Sequence, residues 1–485
     1  MILVIDIGTS SVRTIVYDNN GKVQNFHQYQ FDLDIKDEIT IELDANIVID
    51  KVNKGLKSIA TYLKTNSIKL DAISLTAQRS SVIPVNDKCE TLRNAIMWQD
   101  TRNRYLVERF QENSDQIFNI CGMKIATTFS ATKMLLLKEQ YNDIYEKAYK
   151  LIGFQEFVLH YLTNIFATDT SIASRTMLFD LKTNKFSKEL INLFGIDENK
   201  LCKIVEVGTI VGNATNEIKK VLEIDYDIPV VTAGGDQQCA ALGMGLVKGG
   251  NIVSNSGTGS YIIGLSDKPI FDSKKRINCN VSAIPNKYIL EGTVLGAGKV
   301  IDWFNNEFYN GDFQEFTNAC LNSNAGSNGV IVCPSFLGKG SPVWNPLVRG
   351  GIYNLGINVQ KSDFARAVLE GVGNELAGSI ESIEELLGTV VKNVTVAGGV
   401  CKNVVFNQIQ ADMLNKEVNK REVEEATSMG AFISGYKAIY KEKSYDEIVD
   451  NIYKNSKMDI YYPIVENIEI YNKVNELRKK YENIY

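Results

Sequence analysis

Ile2-Leu3-Val4-Ile5-Asp6-Ile7-Gly8-Thr9-Ser10-Ser11 opens the chain, and Asn251-Ile252-Val253-Ser254-Asn255-Ser256-Gly257-Thr258-Gly259-Ser260 repeats it at the start of the second half. In both copies an apolar run stops at a short polar residue, Asp6 or Asn255, and a Gly-Thr turn follows. Each copy also carries an Asp ten residues after its first glycine, Asp18 after Gly8 and Asp267 after Gly257. A β-run broken by glycine and small hydroxyl residues makes a hairpin whose backbone N–H groups can face a phosphate. Any hairpin needs a turn, so one copy says little. Two in register, one per half-chain, predict a nucleotide gripped between two related domains.

A second element recurs in each half. Pro229-Val230-Val231-Thr232-Ala233-Gly234-Gly235-Asp236 and Val394-Thr395-Val396-Ala397-Gly398-Gly399 are β-rich runs ending in Ala-Gly-Gly. Both read as buried parallel strands meeting a loop at their carboxyl ends. Gly8 and Gly234 are 226 residues apart and Gly257 and Gly398 only 141, so the first half holds a surplus of 85. Extra residues on a shared scaffold are where specificity is expected. A four-residue apolar spacing runs through Phe364, Val368, Val372, Leu376, Ile380 and Ile383, predicting a helix with Ser362 as its N-cap. Residues 108–150 read as helical with a break at Gly122, and the tail from Tyr440 as surface helices.

The bulk numbers fit this α/β reading. A chain of 485 residues is too long for one core and divides into 1–248 and 249–485, with a short hinge at Lys248 to Asn251. The net charge is −6 with no long run of one sign, which argues against nucleic acid or an anionic membrane as partner. No apolar stretch has the length of a membrane span, and the first strand carries Asp6 where a signal peptide would not. The eight cysteines are scattered without a Cys-x-x-Cys pair, as in reduced thiols of a cytoplasmic enzyme. There are only two histidines, His27 and His160, both remote from the Gly-rich turns, so acid–base chemistry falls to carboxylates.

Familiar phosphate motifs fail. Gly292-Thr293-Val294-Leu295-Gly296-Ala297-Gly298-Lys299 lacks P-loop spacing, and Gly243-Met244-Gly245-Leu246-Val247-Lys248 has Lys where a dinucleotide fingerprint needs its third Gly. Instead an ordered set of fragments spans nearly the whole chain: Asp6-Ile7-Gly8-Thr9-Ser10-Ser11-Val12-Arg13, Trp98-Gln99-Asp100-Thr101-Arg102, Gly235-Asp236-Gln237-Gln238 and Ser256-Gly257-Thr258-Gly259. Trp344-Asn345-Pro346, Gly350-Gly351-Ile352-Tyr353-Asn354-Leu355 and Ala426-Thr427-Ser428-Met429-Gly430-Ala431 complete it. Together they resemble the FGGY carbohydrate kinases, of the broader sugar kinase/actin/heat-shock ATPase fold. Asn354 stands where that family usually has Gly, and Leu136 replaces a Trp expected after Lys133.

The resemblance implies two actin-like (ribonuclease H-like) domains with an ATP cleft between them, acting with Mg²⁺ on a small sugar or polyol. Asp6 would hold the ion, although a strand-end Asp also makes turns. Thr9, Ser10, Ser11 and Arg13 would meet the transferred phosphate, and Gly257 and Thr258 the remaining ones. Gly298 would lie near ribose and phosphates, with Gly398, Gly399 and Asn403 flanking adenine. Asp236 would accept the substrate hydroxyl's proton, although an Asp there also caps a helix. Gln78, Arg79, Trp98, Gln99, Asp100, Arg102, Asp236 and Gln237 would form the acceptor site, an aromatic face with hydrogen-bonding groups for vicinal hydroxyls. The glycerol kinase branch carries Glu directly after the Arg, where Ser80 stands, so a pentulose, pentitol or aldonate is expected rather than glycerol. Glycerol kinase itself, and a nucleotide-driven chaperone or filament on the same fold, are the alternatives. A homodimer is compatible with the sequence but not specified by it.

Overall fold

The computed structural model describes residues 1–482 apart from 422, 424 and 455, so the final residues 483–485 of the expected second domain lie outside it. Two sheets organise the chain. The first contains β1 (Ile2–Ile7), β2 (Ser11–Tyr17), β3 (Val23–Gln30), β4 (Ala72–Ala77), β5 (Thr209–Asn213) and β6 (Pro229–Gly235) in the order β5-β6-β4-β1-β2-β3. The second contains β7 (Ile252–Ser256), β8 (Ser260–Ser266), β9 (Asn278–Val281), β10 (Tyr288–Val294), β11 (Asn393–Ala397), β12 (Glu417–Arg421) and β13 (Met458–Tyr461). Their order is β9-β10-β8-β7-β11-β12-β13. Every residue of β1 is buried, as a central strand covered on both faces requires, and it runs parallel to β4 and antiparallel to β2. β7 repeats that arrangement with β11 and β8.

The repeat is real but shifted in two places. Ile7 pairs with Val12 across four turn residues, whereas Ser256 pairs with Ser260 across three. The tighter second turn sets Tyr261 opposite Asn255, where the first hairpin sets Arg13 opposite Asp6. The Ala-Gly-Gly strands are not equivalent: β11 lies directly beside β7, but β6 is separated from β1 by β4. The 226- and 141-residue spans therefore compare different points of the scaffold. Asp18 and Asp267 are strand-end residues, the first accepting N–H bonds from Asn20 and Lys22 in the β2–β3 turn, the second paired with Lys287.

Helices cover both faces. α1 (Ala45–Asn66) packs its apolar stripe on β2 and β3, and α2 (Ser130–Gln140) belongs to the inserted region of the first half. Gly122 ends the preceding helix in the left-handed region, the break expected there. α3 (Asp236–Gly243) follows β6 directly. α4 (Lys361–Leu387) carries the expected four-residue stripe, but its N-cap is Gln360, whose backbone N–H donates to Asp363, and Ser362 lies inside the first turn. The tail forms helices at Tyr445–Tyr453 and Val465–Glu482, yet β13 between them joins the second sheet, and Tyr471 and Arg478 are buried rather than exposed.

α5 (Ala426–Ile439) comes from the second half yet packs on β1, β4 and β6 of the first sheet and crosses α3. The crossing is close: a Cβ on Gly430 would stand 1.8 Å from the Cys239 carbonyl oxygen, and one on Gly243 1.9 Å from that of Ala426. Glycine is required at both. One buried cluster accordingly draws on Ile2, Val4, Val253, Ile263, Phe432 and Ile433, from both sheets. Residue 248/249, in the turn after α3, divides the two sheets along the chain but not in space. Among the described residues no helix is long and apolar enough to cross a membrane.

Candidate active site

Two adjoining cavities lie between the sheets. The smaller, about 140 Å³, is lined by Thr9, Arg79, Ser80, Trp98, Thr128, Arg175, Asp236, Gln237 and Tyr261. The larger, about 790 Å³, shares six of these residues (Thr9, Trp98, Thr128, Arg175, Gln237 and Tyr261) and adds Asn255, Gly257, Thr258 and Gly259. The two turns quoted from the sequence therefore face one space.

Asp236 opens α3 where β6 ends, and its side chain is 26% exposed. Its Oδ1 accepts from the Gln237 N–H at 2.8 Å and ion-pairs with Arg79 Nε at 3.1 Å. Burial raises its pKa above the ordinary carboxylate value, and Arg79 only partly offsets this. Arg79, itself buried, donates through Nη1 to Glu291 Oε2 at 2.8 Å and to Gln238 Oε1 at 3.1 Å. Arg175 donates to Glu291 Oε1 at 3.0 Å and to Asn280 Oδ1 at 3.0 Å, and its guanidinium lies over the Phe129 ring. Burial, reinforced by Arg79, pulls the Arg175 pKa down to about 10. Burial works to raise Glu291, but the two guanidiniums prevail and hold it below the usual range.

Asp6 sits on β1 with 1% exposure and accepts from Arg13 Nη1 at 3.2 Å and Ser428 Oγ at 3.2 Å. Arg13 is shared with Glu425 at 3.5 Å. Burial pushes the Asp6 pKa up to about 6, more than Arg13 pulls it down. Thr9 lines both cavities, and its hydroxyl accepts from the Trp98 indole N–H at 3.2 Å. Ser10 is exposed, whereas Ser11 is buried with its hydroxyl bonded to Gln28. The Gly257 and Thr258 carbonyls accept from the Gly298 and Lys299 N–H groups at 3.0 Å each, tying the second turn to the helix at Ala297–Tyr309. A Cβ on Gly298 would stand 2.2 Å from the Gly257 carbonyl oxygen, so that glycine keeps the turn in place. Gly398 packs against Ser256, Gly399 has open space around it, and Asn403 caps the helix at Val404–Leu414.

Not every expected acceptor residue comes to the cavities. Asp100 is fully buried and accepts from the Ile41 N–H at 2.9 Å and from Arg102, while Arg102 reaches Glu42 at 2.8 Å. These two residues hold the loop after Trp98 against the strand at Ile41–Leu43 and line neither cavity. Gln78 donates to the Gly8 carbonyl at 3.1 Å and lies behind the site; Gln99 also lines neither cavity. Arg175, Tyr261 and Glu291, which the sequence does not single out, also line the larger cavity, and the last two come from the second half, so the cavity wall is not confined to the enlarged first half. A signal existed for Glu291: it is the lone charge in Tyr288-Ile289-Leu290-Glu291-Gly292-Thr293-Val294.

Residues 1–243 match the model for the N-terminal domain of the FGGY family of carbohydrate kinases, and residues 252–439 the model for its C-terminal domain. The chain belongs to the FGGY family of carbohydrate kinases. A glycerol kinase from Thermococcus onnurineus is 30% identical over 473 residues, covering 96% of this chain and 94% of that one. A xylulose kinase from Staphylococcus epidermidis is 26% identical over 486 residues, covering 100% and 96%. The crystal structure of a gluconate kinase from Lactobacillus acidophilus superposes with TM-score 0.93 at 25% identity, covering 100% of this chain and 97% of that one. The fold is accordingly the two-domain, actin-like one of the sugar kinases, and the protein is a carbohydrate kinase.

Proposed function

We propose that this FGGY kinase transfers the γ-phosphoryl group of ATP to a hydroxyl of a polyhydroxy acceptor longer than glycerol, with Asp236 as the base. The observation that carries this is the shared lining of the two cavities, which sets Asp236 and Arg79 on one side and Gly257 to Gly259 on the other. The Gln237 N–H bond and the Arg79 ion pair both use Oδ1, and Oδ2 is the oxygen that takes the hydroxyl proton. Thr9 and Trp98 bound the space between acceptor and phosphate. Arg13 is the nearest cation to Asp6 and balances charge as the phosphoryl group moves.

Mg²⁺ fits this site as an ion carried in with the nucleotide. Among the described residues no three His, Cys, Asp or Glu side chains form a cage, and Asp6 is a buried carboxylate whose pKa burial raises more than Arg13 lowers it, so a second cation beside it would favour its charged form. Asp6 would hold it, and the bound ion would neutralise charge on the phosphates.

Ser80 argues for the longer acceptor. It lines the smaller cavity, and its hydroxyl donates at 3.4 Å to the Arg175 carbonyl, where a Glu would offer a charged grip on a triol. The test is ADP release across glycerol, pentitols, pentuloses and aldonates. At least one five- or six-carbon acceptor should exceed glycerol in kcat/KM by about tenfold, the value of one charge-assisted hydrogen bond. Glycerol as best substrate would make this a glycerol kinase with an altered pocket. ADP release indifferent to every acceptor would favour the chaperone or filament reading.

A further inference from the structure

We propose that Glu291 is a positioning residue which, from the second sheet, sets the two guanidiniums of the acceptor wall, so that the wall is complete only with both sheets docked. This rests on reading the smaller cavity as the acceptor site. Glu291 lies on β10, paired with Ile263 of β8 and Asn278 of β9, and is 1% exposed. Both of its oxygens are spent on residues of the first half, Oε1 on Arg175 and Oε2 on Arg79. Arg79 then reaches Asp236 through Nε, so an unbroken line of charges runs from β10 to the start of α3.

That line decides where the cations stand. Arg79 offers separate edges to two carboxylates, Nη1 to Glu291 and Nε to Asp236. Asp236 is the other carboxylate whose charge acts on both Arg79 and Arg175, so without the Glu291 charge both would draw onto it. The carboxylate meant to receive a proton would then be occupied. Stability is a poor reason to keep such a group, because a buried ion triad replaced by apolar side chains is often as stable or more so. A requirement for position explains it better.

The experiment compares Glu291→Gln with the wild type, using the best acceptor from the panel and a non-hydrolysable ATP analogue. Glu291→Gln should lower kcat and raise acceptor KM, with kcat/KM falling about 10- to 100-fold, the usual cost of losing a support behind a ligand. Calorimetric affinity for the analogue should change less than about threefold, because the nucleotide turns are untouched. Folded Glu291→Gln enzyme with wild-type kcat and acceptor KM would overturn the proposal. If that variant does not fold, Arg175→Met is compared with Glu291→Met/Arg175→Met, which retains the balanced Arg79–Asp236 pair. A further fall of about tenfold in the double variant supports positioning. Equality with Arg175→Met, or failure of both Glu291 variants to fold, overturns it in favour of a purely structural role. Failure of the acceptor-site reading would look different: no acceptor in the panel would stimulate ADP release by the wild type.

Discussion

Asp236→Asn separates proton acceptance from everything else this residue does. Asn retains Oδ1, so the bond from the Gln237 N–H at 2.8 Å survives and α3 still begins where it does. Arg79 keeps Glu291 at 2.8 Å and Gln238 at 3.1 Å, so it is not left unpaired when one carboxylate is neutralised. The losses are the basic oxygen and one negative charge. Removing a general base costs about 10²- to 10⁴-fold in kcat, or about 2.7–5.5 kcal/mol at about 1.36 kcal/mol per decade. Coupled ADP release at saturating acceptor measures kcat, and calorimetry measures nucleotide and acceptor affinity, expected to stay within about threefold of wild type. Wild-type kcat/KM should also fall on acidification, at a pH above that of an ordinary Asp. Burial raises this pKa, with Arg79 and Arg175 opposing and Glu291 assisting, and the protonated form cannot accept a proton. The variant should lose that limb. Retention of more than about a tenth of kcat, a deficit under about 1.4 kcal/mol, would place the base elsewhere.

Three other outcomes are expected. Asp6→Ala should lower kcat by at least about tenfold and raise the Mg²⁺ concentration for half-maximal turnover, with acceptor KM little changed; an unaltered metal titration would make Asp6 a turn residue only. Ser80→Glu should narrow the kcat/KM ratio between the best long acceptor and glycerol by about tenfold, and a ratio that holds would remove Ser80 from specificity. Lys133 is buried on α2, donates to the Thr127 and Thr128 carbonyls at 2.5 and 2.7 Å, and is pulled by burial from 10.5 down to about 7. Above about pH 7 the unfolded chain holds the more protons at this lysine, so unfolding free energy rises with pH until about 10.5. Lys133→Met should lose that rise in urea unfolding and raise acceptor KM through Thr128, whereas identical pH slopes would show Lys133 to be charged in the fold.

What was legible in the sequence was what a few adjacent residues decide. A buried strand that carries Asp6 next to its last residue and then enters a Gly-Thr turn is a local fact, as is an Asp placed directly after Gly234-Gly235 at the end of β6. Asp100 and Arg102 had the right chemistry for hydroxyl recognition, but their partner Glu42 lies 60 residues before Arg102, and nothing nearby announces it. Position in the sheet was equally hidden. Two Ala-Gly-Gly runs look alike residue by residue, and only strand pairing tells that β6 stands one place further from the hairpin than β11 does. The helix N-cap slipped from Gln360 to Ser362 because Ser is the commoner cap and Asp363 completes the box from inside the helix.

The repeat implies two equal half-sites, yet the groups we propose to react gather in one of them. Asp6, Arg13, Arg79 and Asp236 all belong to the first half, and the second half braces them: Ser428 donates to Asp6, Glu425 pairs with Arg13, Glu291 with Arg79. With the nucleotide phosphates in the larger cavity, as proposed, a second carboxylate at the position of Asn255 would repel them, so a neutral side chain suits that turn. Shortening the turn by one residue also exchanges an arginine for Tyr261 opposite it. Tyr261 lines both cavities, so the shorter second turn goes with an aromatic ring at the site of the proposed acceptor. One transfer needs one metal-holding carboxylate and one base. On the proposed reading both lie in the first half, and the second turn holds phosphates while its flanking residues bound the acceptor. α5 crosses back onto the first sheet through Gly243 and Gly430, so the half that carries the proposed base and metal-holding carboxylate is held in register by the other half.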